Sequence, residues 1–104
     1  DSNESFNGST WTEVNNLNTA KAQMAGSGTS TAAFAIGGYS TANLATVEQW
    51  NGTSWTETTD MSTARRSLGG SSGAGSVTAT LVFGGLATPS QIANTEAWNG
   101  SSWT

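Results

Sequence analysis

Three near-copies of a nine-residue phrase punctuate this chain. Glu4-Ser-Phe-Asn-Gly-Ser-Thr-Trp-Thr12 returns as Glu48-Gln-Trp-Asn-Gly-Thr-Ser-Trp-Thr56 and again as Glu96-Ala-Trp-Asn-Gly-Ser-Ser-Trp-Thr104. The first two copies lie 44 residues apart, Glu4 to Glu48, and the next two 48, Glu48 to Glu96. Self-similarity at such a period marks a repeat architecture, in which one unit cannot bury its own apolar face and leans on its neighbour.

The alignment extends beyond the phrase. Residues 13–26 match 57–70 at the same offset of 44, and Ala32-Ala-Phe-Ala-Ile-Gly-Gly38 matches Ala79-Thr-Leu-Val-Phe-Gly-Gly85 at 47. The three extra residues fall within 71–78, and one more enters between Gly85 and Glu96. Insertions confined to polar stretches between apolar runs are what strand-connecting loops tolerate. The chain therefore divides into a partial unit over 1–12 and two full units over 13–56 and 57–104.

Each full unit reads as four short antiparallel strands. The first spans about 23–30 and 67–76, the second 32–37 and 79–84. The third spans about 45–50 and 94–98, with a fragment at 4–6; the fourth starts at Trp11, Trp55 and Trp103 and runs to about 14 or 58. Phe34 and Ile36, like Leu81 and Phe83, share one face of their strand by its period of two. Asn-Gly separates the third and fourth strands at Asn7, Asn51 and Asn99, and predicts a type I′ hairpin turn with positive φ at both central residues. The same triplets, with Asn3-Glu-Ser5, fit the N-glycosylation pattern, but turn chemistry already accounts for Asn-Gly. Gly37-Gly38 and Gly84-Gly85 end the second strand where backbone turns sharply or approaches another unit. No stretch carries helical periodicity, so the expected class is all-β.

An apolar strand ending in Gly-Gly, then Glu48 with Trp50, then Trp55 and a basic Arg65 opening the next unit: this combination resembles the kelch motif over essentially the whole chain. The resemblance implies a β-propeller, four-stranded blades arranged radially around a channel. It also implies partner binding at one loop rim. The chain departs from the motif in two ways. Its third strand carries Phe6, Trp50 or Trp98 where kelch units usually show Tyr, and Lys21 stands in place of Arg in the first unit.

Composition narrows the chemistry. Charged residues make up 10% of the chain, against about 25% in an average domain, which favours folded β-structure over a solvated tail. With three Lys and Arg in all and a net charge of −4, clustered cations for nucleic acid or anionic lipid are lacking. No apolar run approaches the ~18 residues of a membrane span. There is no Cys and no His, which removes disulfides, thiolate and imidazole metal sites, and the copper centre of a kelch-type oxidase. Nor is there a P-loop or nucleophile elbow. Among the acids, Glu13, Glu48, Glu57 and Glu96 recur with the repeat, which suits structure better than the paired carboxylates of glycoside hydrolysis. No catalytic, cofactor or metal residues are expected.

Up-and-down strand order gathers the loops 15–21, 39–44, 59–65 and 86–93 on one rim. Tyr39, Lys21, Arg65 and Arg66 are the candidate ligand-binding residues there. Their competing role is ion pairing with Glu48, Glu57 or Glu96. Trp11, Trp50, Trp55, Trp98 and Trp103 recur at fixed unit positions, which favours packing between units over service as sugar-stacking platforms. Two units fall short of the four to eight blades of a ring. The expectation is a cyclic homo-oligomer, three copies giving six blades, in which the strand at 11–14 completes the last blade of a neighbour. The alternative is a window of a longer or reconstructed array. The expected function is a non-catalytic binding module, in its most specific version a lectin-like carbohydrate binder. The other reading is a purely architectural segment. Richness in Ser, Thr, Asn and Gly fits an extracellular or virion-associated surface, with the compartment left open.

Overall fold

The computed structural model describes residues 2–70 and 76–104, and all regular structure among them is β. It opens with a hairpin of β1 (Asn3–Phe6) and β2 (Trp11–Val14). A four-stranded sheet follows: β3 (Ala25–Gly28), β4 (Ala33–Ile36), β5 (Val47–Trp50) and β6 (Trp55–Glu57), each antiparallel to the next. The second sheet holds β7 (Gly69–Gly70) and β8 (Thr80–Phe83). A two-stranded excursion, β9 (Leu86–Ala87) with β10 (Ser90–Gln91), precedes its last strand, β11 (Thr95–Trp98). The order in that sheet is β11-β8-β7, and Trp103 bridges back to Trp98 at its edge.

The strands are shorter than expected but sit where the repeat puts them. Of the predicted first strand at 67–76, only Gly69–Gly70 is seen, and its continuation over 71–75 lies outside the described residues. The fourth strand of the second unit amounts to one ladder step, in which Ala97 and Thr104 exchange backbone bonds of 2.8 and 3.0 Å. The β9–β10 excursion falls within the loop expected at 86–93; strands of two residues are too short to show alternation.

The hairpin turns correct the predicted type. Only the Gly of each Asn-Gly pair has positive φ: Gly8 at 100°, Gly52 at 98° and Gly100 at 100°. Asn7, Asn51 and Asn99 instead sit at the first corner, where each backbone N–H donates to the carbonyl three residues on, at 3.1–3.2 Å. Each Asn Oδ1 accepts the amides of the two residues after the Gly, all at 2.9 Å. The turn thus centres on Gly-Ser or Gly-Thr, needing positive φ at its first central residue alone. Side-chain capping by Asn shifts the turn by one residue from the type I′ expectation.

The two sheets meet face to face. In β4 and β8 successive side chains alternate, so Phe34 and Ile36 point toward the second sheet while Val82 points back at the first. Ala25, Phe34, Ile36 and Val47 pack there with Val82, Trp98 and Trp103 into one core. The Phe34 and Trp98 rings meet edge to face, centroids 5.7 Å apart, and Ser27 Oγ and Thr80 Oγ1 share a buried hydrogen bond of 2.6 Å. Deeper in, Ser67 N–H donates to the Gln23 carbonyl at 2.8 Å, joining repeat-equivalent residues that both hold positive φ. Gly37 lets the units approach: a Cβ there would lie 2.8 Å from the Arg65 carbonyl oxygen.

Outside this joint, cover runs out. Leu81 and Phe83, the counterparts of buried Phe34 and Ile36, are each 47% exposed on the far face of β8. At the other end Phe6 and Trp11 of the hairpin are 50% and 67% exposed.

Candidate functional site

The basic candidates divide into two groups. Lys21 and Arg65 are interior. Lys21 Nζ lies 2.9 Å from Glu48 Oε2, and Arg65 Nη2 lies 2.6 Å from Glu96 Oε2, with both cationic side chains fully buried. These are the same contact made twice by the repeat. Each glutamate also accepts a loop amide, from Asn18 to Glu48 at 2.6 Å and from Ser62 to Glu96 at 2.7 Å. Arg65 does more than Lys21: its Nη1 also donates to the Gly84 and Asn94 carbonyls at 3.2 and 2.9 Å. Lys21 reaches only Thr46 Oγ1 besides its glutamate, at 3.4 Å. A planar guanidinium spans several acceptors where an ammonium cannot. Charge buried and neutralised in this way locks the loop before each first strand onto the third strand, and is not presented to solvent.

Tyr39 and Arg66 are the rim group, and they meet. The Arg66 guanidinium carbon stands 4.5 Å above the Tyr39 ring centroid, a cation–π contact between the two units. Their backbones occupy equivalent ladders, Ala22 with Tyr39 and Arg66 with Leu86. The pair therefore forms only where a first unit supplies the ring and a second supplies the cation. Beside it an open hollow of about 460 Å³ is lined by Ala42, Asn43, Ser62, Thr63, Ala87 and Thr88. Asn43 Nδ2 donates to the Leu86 carbonyl and to Thr88 Oγ1, both at 3.0 Å, while its Oδ1 is buried without a partner. The hollow offers neutral amide and hydroxyl groups and no charge. No group of three or more His, Cys, Asp or Glu able to hold a metal ion exists among the described residues. No helix of the described residues is long and apolar enough to cross a membrane.

The tryptophans behave according to their neighbours. Each third-strand aromatic stacks obliquely on the fourth-strand Trp across the turn: Phe6 on Trp11 at 5.0 Å, Trp50 on Trp55 at 5.3 Å, Trp98 on Trp103 at 5.2 Å. Trp50 and Trp98 each donate Nε1–H at 3.0 Å to a carbonyl of their own unit, Ser30 and Val77. Trp103 donates to the carbonyl of Thr59, just past β6 of the first sheet, at 3.1 Å. Trp55 Nε1 is buried without a partner. Trp11 does not pack between units as its recurrence suggests: it lies 67% exposed on a two-stranded hairpin.

The chain matches no known protein family and no curated protein.

Proposed function

We propose that the two units are blades of a kelch-like β-propeller and that the chain is a non-catalytic interaction module which assembles by stacking these blades. The observation that carries this reading is the contrast across the second sheet. Val82 and Trp98 are buried against the first unit, whereas Leu81 and Phe83 face solvent at positions where the first unit buries Phe34 and Ile36. Exposed apolar surface of this kind marks an association face. Three copies would supply six blades, within the four to eight that rings use. Heterologous contacts of one type, repeated around an axis, close such a ring. In this reading the buried Lys21–Glu48 and Arg65–Glu96 pairs brace each blade.

Light scattering coupled to size-exclusion chromatography tests it: the 104-residue chain should show a mass that is a multiple of the protomer, three-fold for a closed ring. A well-folded sample of protomer mass at all concentrations overturns the proposal.

A second reading, carbohydrate binding at the rim, draws on the Tyr39–Arg66 stack beside the neutral polar hollow. Aromatic faces and amide groups are the usual partners of sugar rings and hydroxyls. A glycan array should give a reproducible signal that Tyr39→Ala abolishes. Uniform silence favours the purely architectural alternative.

A further inference from the structure

We infer that the β1–β2 hairpin is a displaceable cap over a self-docking face, and that the occupant it excludes is the β8 face of a second copy of this chain. The inference rests on the stacking reading and adds which faces meet and what holds them apart.

The intrachain joint is the template. There the side of the second sheet carrying Thr80 and Trp98, cross-strand partners, receives Phe34 of the first sheet. The repeat puts Ala33 and Trp50 in the same relation, also as cross-strand partners, on the opposite side of the first sheet. That side is the seat for Leu81 and Phe83 of another copy, which stand where Phe34 and Ile36 stand one unit earlier.

The hairpin covers the seat imperfectly. A cavity of about 400 Å³ separates Asn3, Ser5 and Val14 of the hairpin from Ala33, Trp50 and Trp55. One hydrogen bond is also missing. Trp103 Nε1 is satisfied by the Thr59 carbonyl, and the repeat equivalent for Trp55 is the Asn15 carbonyl. In this chain Asn3 Nδ2 of the hairpin donates to that oxygen, at 3.4 Å, and Trp55 Nε1 has no partner. A buried indole donor left unpaired costs free energy that its repeat equivalent Trp103 is spared.

A second copy arriving at this seat brings its own β11 and Trp103. Residues 96–104 repeat residues 4–12, so the incoming segment and the hairpin have one position to share, and one must leave. Among the described residues β1 pairs with β2 alone, and its side chains are largely exposed. Glu96 and Trp98 are each 5% exposed, the former ion-paired to Arg65. The hairpin is the weaker tenant.

Sedimentation velocity on the full chain over a range of concentrations tests this, with Gly8→Val to weaken the hairpin turn. Gly8 has φ of +100° and open space around it, so the substitution disfavours the turn conformation and clashes with nothing. Self-association should tighten about tenfold in Gly8→Val. Leu81→Glu, on the exposed face, should abolish association in either background. If Gly8→Val associates no more tightly than the parent while Leu81→Glu still dissociates it, the cap is wrong and stacking stands. If no form associates at any concentration, both fall.

Discussion

The chain contains the same phrase at two joints, and they are built unequally. Between the two full units, Trp103 is 7% exposed, its indole N–H is bonded to the Thr59 carbonyl, and Arg65 ties the second unit's loop to three acceptors. Between the hairpin and the first unit, Trp11 is 67% exposed, Trp55 lacks a hydrogen-bond partner, and a cavity remains. Identical residues gain or lose their role according to whether a complete sheet stands behind them. In a repeat protein stability resides largely in nearest-neighbour contacts, and here those contacts are concentrated in one joint.

The largest test of this asymmetry is charge. Arg65→Met leaves Glu96 buried without its cation and should cost about 3–5 kcal/mol, read from urea unfolding. Lys21→Met should cost less, because Glu48 keeps the amides of Asn18 and Thr19 and Lys21 supplies no carbonyl bonds. Equal losses would erase the distinction between the pairs. Next comes packing: Trp98→Ala should cost about 3–5 kcal/mol, and Trp11→Ala should stay within about 0.5 kcal/mol.

Backbone approach gives an intermediate effect. Gly37 and Gly84 have nearly the same positive φ, 62° and 65°, so alanine strains both by about 1–2 kcal/mol. At Gly37 the new Cβ would also meet the Arg65 carbonyl oxygen at 2.8 Å, whereas at Gly84 the nearest atom is 3.6 Å away. Gly37→Ala should therefore exceed Gly84→Ala by a further ~1 kcal/mol or more. Smallest of all is the turn cap. Asn51→Ala should cost about 1 kcal/mol of global stability, but Asn7→Ala almost none. Local opening of the first hairpin is the expected effect there, read as faster amide hydrogen exchange at 3–14.

Much of the fold was legible. The repeat gave the strand order, the Gly-Gly breaks and the hairpins, because local alternation and turn residues dictate these. The turn type is not legible in the sequence because Asn has two uses in a turn. It can adopt positive φ itself or cap the next amides with its side chain, and residue identity does not separate them. Of the candidate site, Tyr39 and Arg66 do meet at the rim, though nothing in the sequence signalled their stacking across units. Lys21 and Arg65 have two readings in the sequence, ligand groups or ion-pair partners of the repeated glutamates, and burial against Glu48 and Glu96 decided for the second.

By itself the sequence determined an all-β chain of repeated antiparallel strands and where it turns, since periodicity and turn chemistry are local. Tertiary structure alone decided which copy of each repeated residue is buried. Trp103 and Trp11 have the same neighbours in sequence, and their environments differ because hydrophobic burial is a property of what stacks against a face.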